Sequence, residues 1–229
     1  MIERETGKKE ILEGIRAELA LKLLDTEVIR FGYFNIKLHD KFPQAPLLPL
    51  YIDSRRIPRF PNLQRMTVDI YEKLLEPLDF DLIAPVPTGA IPFTTLLSDR
   101  LGYGMVTPRK DKKLHGTTDE VGGMLDKDKG KCVVVIDDVV SQADSKLETA
   151  EVLKRNGFVV EDIVVLIDHE LGGEEELIRR GFKLHSVMKT NQMFDYYDQI
   201  GKLDHELVEH VRRGMQGLRE YLSINKLIK

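Results

Sequence analysis

The sequence predicts an α/β fold with a mostly parallel sheet. From residue 80 onward, short apolar runs alternate with helical stretches, which is the order of βαβ units. Gly157 and Gly181 follow two of the predicted helices, where a left-handed residue commonly ends a helix. The predicted strands are 82–86, 132–136, 163–167 and 184–188, and the predicted helices are 89–101, 145–156, 174–180 and 203–222.

The N-terminal part lies outside this alternating series. Residues 8–24 are predicted to form a helix, because Ile11, Ile15, Leu19 and Leu23 recur at a spacing of four. Residues 28–36 resemble a strand or hairpin, and the segment with Pro43, Pro46 and Pro49 is predicted to be an irregular loop. A further helix is predicted over residues 63–75.

These patterns predict two parts in one compact unit. Residues 1–78 are expected to form a small helical subdomain, which we call the hood, and residues 79–229 the α/β core with its C-terminal helices. The chain of 229 residues, 42% of them hydrophobic, is long enough to bury a substantial core.

Charge and composition exclude several classes of function. A net charge of −4 argues against generic nucleic-acid binding, which needs a basic face. The single cysteine, Cys132, excludes an internal disulfide framework. No apolar run approaches the ~20 residues of a membrane span, and the charged N-terminus lacks the apolar region of a signal peptide. We therefore expect a cytoplasmic protein without membrane or nucleic-acid partners.

Two adjacent carboxylates, Asp137 and Asp138, follow the apolar run 132–136 and precede a polar loop, residues 141–145. The carboxyl edge of a parallel sheet is where α/β proteins bind ligands. The acidic pair could hold the two hydroxyls of a ribose, and the loop amides with the next helix N-terminus could hold a phosphate. This order indicates a sugar-phosphate site.

Two other segments are less specific when taken alone. Thr88 and Gly89 follow the strand 82–86 and either approach an anion or form an ordinary βα turn. Residues 109–115 hold four cations and His115, followed by Gly116. Such a segment is either a solvated surface loop or a loop that closes over a departing polyanion and neutralises its charge.

Taken together and in order, these segments resemble the type I phosphoribosyltransferases, and within that class the orotate phosphoribosyltransferases. The similarity extends over roughly residues 25–190, and its most specific part is the basic loop, where five positions agree. The residues that carry the resemblance are Phe31-Gly32, Ile36-Lys37, Tyr51-Ile-Asp53-Ser-Arg55, Arg109, Lys110, Lys113, His115, Gly116, Asp137-Asp138 with residues 141–145, and Asp168-His-Glu-Leu-Gly-Gly173.

The resemblance implies transfer of a 5-phosphoribosyl group from phosphoribosyl pyrophosphate to a nucleobase, orotate in the first place, in pyrimidine nucleotide synthesis. Mg²⁺ is expected mainly on the pyrophosphate rather than on protein ligands. A homodimer is implied, in which the basic loop completes the neighbouring subunit's site. The implied catalytic residues are Lys113, His115, Asp137 and Asp138, and the implied substrate-binding residues are Lys37, Tyr51, Thr88, Gly89, Arg109, Lys110, Ser141, Gln142, Ala143, Asp144, Ser145 and His169.

Two departures from the family pattern leave alternatives open. The phosphate loop lacks glycine, so Ala143 makes a positive φ less accessible and Asp144 places a carboxylate beside a bound phosphate. Alternatively the loop is simply a helix start, capped by Ser145 or Asp144. His169 replaces the arginine usual in orotate enzymes. The alternative hypotheses for the function are therefore a phosphoribosyltransferase for a different base, or a non-catalytic regulator that senses nucleotides or phosphoribosyl pyrophosphate.

Overall fold

The structure is a computed structural model that describes residues 12–109 and 119–228. The strands are β1 (Ile29–Phe34), β2 (Leu48–Ile52), β3 (Leu82–Pro85), β4 (Gly104–Met105), β5 (Thr107–Pro108), β6 (Val121–Gly122), β7 (Val133–Val140), β8 (Asp162–Asp168) and β9 (Lys183–Lys189). The helices are α1 (Gly14–Asp25), α2 (Pro61–Leu75), α3 (Ile91–Leu101), α4 (Asp144–Arg155), α5 (Gly173–Arg179), α6 (Thr190–Gln199) and α7 (His205–Ile224).

A five-stranded parallel sheet forms the centre of the fold, with the order β4-β3-β7-β8-β9. This confirms the predicted α/β class and all four predicted strands of the sheet. The edge strand β4 was not predicted, because a two-residue strand leaves no alternation in the sequence. Helix α6 was also missed, although its Phe194 and Tyr197 are fully buried.

Side chains that alternate along β7 belong to two separate cores, because successive residues of a strand point to opposite faces of the sheet. Val134 and Ile136 pack into a core that includes residues of α1, α2, α3, α6 and α7. Val133 and Val135 pack into the other core, with residues of α4 and α5. Helices therefore cover both faces, which explains why β7 is apolar over its whole first half.

The N-terminal ribbon of β1 and β2 corrects one prediction. The segment with Pro49 was predicted to be irregular, yet Leu48–Ile52 pairs antiparallel with β1. Proline lacks the N–H that a central strand must donate, but in a two-stranded ribbon each strand has an unpaired edge. The hood and the α/β core share one continuous group of buried apolar residues, and the boundary between residues 78 and 79 stays a prediction.

The C-terminal helix α7 supports this ribbon from outside the sheet. It lies against β2, and a Cβ atom at Gly214 would come within 2.8 Å of the Pro49 ring. Gly217, one turn later, has open space around a Cβ atom built there.

None of the helices within residues 12–109 and 119–228 combines the length and apolar character that a membrane span requires.

Two glycine substitutions on α7 should therefore have opposite effects on stability. Gly217→Ala should raise the free energy of unfolding by about 0.5–1 kcal/mol, because alanine restricts the unfolded chain and favours helix. Gly214→Ala should lower it by about 1–3 kcal/mol, because the new methyl group overpacks against Pro49. Urea unfolding of both variants checks this, and equal effects of the two would contradict the packing of α7 on β2.

Asp168 ends β8 as a buried carboxylate with incomplete hydrogen bonding. Its Oδ1 accepts the Glu170 N–H at 2.8 Å, whereas its Oδ2 is buried and has no partner among the described residues. Burial raises the pKa of Asp168 from 3.8 to about 6, against the smaller opposing effect of that N–H. The native state thus holds this proton more tightly than the unfolded chain does.

The stability of the protein should depend on pH through this group. The contribution of protonated Asp168 is present below pH 3.8, the ordinary pKa, and is lost as the pH rises through about 6. Asp168→Asn, which stays neutral, should therefore be more stable than the wild type at about pH 8, by about 2 kcal/mol. The difference should shrink toward about pH 4 in urea unfolding. A pH-independent difference would show that Asp168 has an ordinary pKa.

Candidate active site

A cavity of about 360 Å³ lies at the carboxyl edge of the sheet, between the β1–β2 ribbon and the ends of β3 and β7. This volume lies in the range of small-molecule sites. Among the predicted site residues that the structure describes, those lining it are Lys37, Tyr51, Thr88, Gly89, Asp137, Asp138, Ser141, Gln142, Ala143, Asp144, Ser145 and His169. A second cavity, of about 400 Å³, shares four lining residues with the first: Lys37, Val86, Pro87 and Ser145.

The acidic pair does not end its strand as the sequence predicted. Strand β7 continues through Val140, so Asp137 and Asp138 point to opposite faces of the sheet. Asp138 lies on the face of the hood, where its Oδ2 accepts a hydrogen bond from the Ser54 hydroxyl. Its Oδ1 accepts the Val139 N–H at 2.7 Å. Asp138 is partly exposed and is the more accessible carboxylate of the pair.

Asp137 lies on the face covered by α4 and is 4% exposed. The Lys146 ammonium group, which is also buried, lies 2.5 Å from its Oδ2 and donates to the Val139 carbonyl as well. Burial raises the pKa of Asp137 to about 7, the charge of Lys146 limits the rise, and Asp138 adds to it. Lys146 was not predicted as a site residue, because only the fold shows that it is buried beside Asp137.

The phosphate loop, residues 141–145, adopts a left-handed conformation without a glycine. Ala143 has φ 71° and ψ −2° and is buried, so the conformation that the sequence made less accessible is nevertheless present. Helix α4 begins at Asp144, and no described side chain caps it, so both predicted capping roles are wrong. Asp144 and Ser145 therefore place first-turn amides, which a helix leaves without intrahelical partners, beside the cavity.

The turn after β3 approaches a carboxylate rather than an open anion site. A Cβ atom at Gly89 would lie 2.7 Å from Asp138 Oδ2, so only glycine leaves room for this contact. Thr88 is exposed at the cavity, and the Pro87–Thr88 peptide bond is cis. Gly89 therefore leaves room for the Asp138 side chain at this turn, and its predicted approach to a substrate anion stays a prediction.

The segment from Asp168 to Gly173 packs beneath the phosphate loop. A Cβ atom at Gly173 would lie 2.7 Å from the Ser141 carbonyl oxygen and 2.6 Å from Val140 Cγ2. The His169 N–H donates to the Val140 carbonyl at 2.9 Å. Glycine at position 173 thus allows the N-terminus of α5 to approach the loop closely.

His169 is buried and lines the cavity as a neutral side chain. Its Nδ1 lies 2.9 Å from the Thr190 hydroxyl, which itself donates to the Asp168 carbonyl at 3.3 Å. The hydroxyl proton is thereby used, so Nδ1 carries a proton and donates, and Nε2 is the acceptor. Burial lowers the pKa of His169 to about 4. The Thr190 hydroxyl thereby orients the imidazole ring.

The hood contributes polar side chains to the opposite wall. Lys37 Nζ lies 3.0 Å from Glu148 Oε1 on α4, and this hydrogen bond is the largest cause of the raised pKa of Lys37. The Tyr51 hydroxyl accepts a hydrogen bond from Arg55 at 2.7 Å. Ser54 and Arg55 line the cavity without having been predicted as site residues. Both stand in the Tyr-x-Asp-x-Arg pattern, which was the available signal.

Most of the predicted basic loop, including Lys110, Lys113, His115 and Gly116, lies outside the described residues. Arg109 lies at its described start and lines the second cavity. The two sides of the loop approach each other through the antiparallel pairing of β5 with β6, and the Arg109 N–H donates to the Glu120 carbonyl at 2.9 Å. The loop therefore begins beside the second cavity.

Comparisons with known proteins agree with this arrangement. A bifunctional enzyme PyrF/PyrE of Nostoc is 36% identical over 191 residues, covering 82% of this chain and 38% of that protein. An orotate phosphoribosyltransferase of Pyrobaculum islandicum is 32% identical over 139 residues, covering 61% of this chain and 68% of that protein. The solved structure of Leishmania donovani UMP synthase matches with a TM-score of 0.78 at 30% identity, covering 89% of this chain and 42% of that one.

The chain thus spans about two fifths of the length of the Nostoc and Leishmania proteins. The family model of the phosphoribosyl transferase domain matches residues 59–198, which is more than half of the chain. That range contains β3, β7 and the phosphate loop, which form the sheet side of the cavity. The chain therefore belongs to the phosphoribosyltransferase family.

Proposed function

We propose that this protein transfers a 5-phosphoribosyl group from phosphoribosyl pyrophosphate to orotate, with release of pyrophosphate, in pyrimidine nucleotide synthesis. The observation that supports the proposal most is the single cavity in which Asp138, the phosphate loop and Lys37 meet. Relatives named orotate phosphoribosyltransferase and UMP synthase agree with this choice of base.

The reaction needs two opposite charges to be stabilised at the same time. Bond breaking at the anomeric carbon develops positive charge on the ribose, as in glycoside hydrolysis. The Asp138 carboxylate, oriented by Ser54 and the Val139 N–H, is placed to bind the ribose and oppose that charge. The first-turn amides of α4 would hold the 5-phosphate.

The cations around the second cavity would stabilise the negative charge on the departing pyrophosphate. Lys37 and Arg109 both line this cavity. Lys110, Lys113 and His115 lie within the six residues after Arg109 and would act there as well, from this subunit or from a partner in a homodimer.

The protein would work in the cytoplasm.

Mg²⁺ would arrive with the pyrophosphate and supply further neutralisation of its charge. Among the described residues, no group of three or more acidic, histidine or cysteine side chains is arranged to hold a metal ion. Asp138 and Asp144 are accessible carboxylates in the cavity that a substrate-bound ion would encounter. Carboxylate oxygens are ligands that Mg²⁺ accepts, so these two side chains fit a metal that arrives with the substrate.

His169 supports a second candidate, a phosphoribosyltransferase for a base without a carboxylate. A neutral imidazole with a pKa of about 4 offers one hydrogen-bond acceptor, whereas an arginine would offer a charged fork. Orotate would therefore have to find a cation elsewhere in the site. Arg55, which is exposed on the cavity wall, is one described cation that could provide it.

One assay tests these alternatives together. The protein is incubated with Mg²⁺, phosphoribosyl pyrophosphate and a panel of bases, and pyrophosphate release is measured. We expect release with orotate. Release only with an uncharged base would support the second candidate. Binding of phosphoribosyl pyrophosphate in calorimetry, without release with any base, would instead favour the non-catalytic regulator.

A pair of lysine substitutions tests the basic loop. Lys113→Ala should lower kcat by about 10²–10³-fold, because it removes a donor that acts on charge formed in the transition state. Lys112→Ala, at a neighbouring position outside the family pattern, should lower kcat by less than about threefold. Circular dichroism serves as the folding control. Equal losses in the two variants would mean that the loop contributes only general positive charge.

A further inference from the structure

Lys146 is a buried lysine for which the proposed reaction assigns no role. Its side chain is 6% exposed, and it lies on the first turn of α4, directly after the phosphate loop. Its ammonium group contacts Asp137 Oδ2 at 2.5 Å, the Val139 carbonyl, and Ser145 Oγ at 3.5 Å. These three partners match the three donors of an ammonium group. Lys146 also lines the first cavity, but its ammonium group is directed at these three partners.

The contacts of Lys146 connect the two ends of the phosphate loop. Asp137 and Val139 belong to β7 before the loop, whereas Ser145 is the last residue of the loop and Lys146 follows it on the first turn of α4. Within the loop, Ala143 holds a positive φ, a conformation that is strained for an L-residue. A conformation that costs energy persists when surrounding contacts determine it, and Lys146 provides such contacts at both ends.

Simple charge compensation does not explain a lysine at this position. A buried ion pair is often no more stable than two apolar residues of similar volume, whereas loss of one partner leaves an uncompensated charge. Compensation explains why Asp137 and Lys146 accompany each other. It does not explain why the pair lies at the base of the phosphate loop.

We propose that Lys146 is a positioning residue that holds the phosphate loop in its ligand-binding conformation, with Asp137 as its anchor on β7. The inference rests on the proposed function, since it takes the loop as the site of the 5-phosphate. The inference also gives the two acids different roles. Asp137 anchors Lys146 on the face covered by α4, and Asp138 alone presents its carboxylate to the ribose.

Ribose 5-phosphate, with affinity measured by calorimetry, is the probe that tests this inference. The decisive variant is the double substitution Asp137→Asn/Lys146→Met, because it removes both charges and leaves no unpaired ion in the core. We expect it to melt within a few degrees of the wild type and to bind ribose 5-phosphate at least tenfold more weakly. Lys146→Met alone should weaken binding similarly and also lower the melting temperature.

Lys154→Met is the matched control, because Lys154 lies on the same helix, over the Phe182 ring and away from the cavity. It should bind ribose 5-phosphate as the wild type does. If the double variant binds like the wild type, the pair only balances charge and the inference is overturned. If it fails to fold at all, the pair is a folding requirement and the inference is overturned as well.

Ribose 5-phosphate binding by the wild type distinguishes a failure of the proposed function from a failure of the inference. A wild-type protein that does not bind ribose 5-phosphate would overturn both the function and the inference. A wild type that binds, together with an unaffected double variant, would overturn the inference alone. Steady-state kinetics of the double variant provide a second test. If Lys146 is a positioning residue, the substitution should raise KM for phosphoribosyl pyrophosphate more than it lowers kcat.

Discussion

The parallel pairing of β7 with β3 and β8 is the constraint on which the site depends. This pairing places Ile136 beside Pro85, and Val140 beside Asp168. The turn at Gly89, the phosphate loop and the segment at His169 consequently emerge at one edge of the sheet, within reach of one another. Burial of β7 on both faces fixes its register, because a slip of one residue would exchange the two cores.

Continuation of β7 through the acidic pair has a chemical consequence. In a strand, adjacent carboxylates are separated by the sheet itself, so each meets a different environment. Asp138 meets the Ser54 hydroxyl and the cavity, whereas Asp137 meets a buried ammonium group. Two acids that look equivalent in the sequence therefore differ in accessibility and in contacts, and such differences in environment give neighbouring carboxylates separate tasks in many enzymes.

The sequence predicted the sheet, most helices and the lining of the cavity, because these features follow from periodicity and from motifs of fixed spacing. It could not predict three details that depend on tertiary contacts. Pro49 joins a strand because the ribbon leaves its edge free. Ala143 holds a positive φ, which an alanine rarely adopts. A lysine is ordinarily predicted to be exposed, but Lys146 is buried because Asp137 lies on the face that α4 covers.

Acidic residues at the start of α4 are compatible with phosphate binding in the same place. Asp144 stands at the first helical position, where a carboxylate interacts favourably with the helix dipole, while Lys37 is paired with Glu148 one turn further on. Both members of that pair are more than half exposed, so the pair is worth about 0–1 kcal/mol. A bound pyrophosphate could therefore displace Glu148 from Lys37 at little cost. The positive charge of Lys37, which lines the same cavity as Asp144, would then offset part of the repulsion of about 1 kcal/mol that Asp144 would exert on the 5-phosphate at ~4 Å.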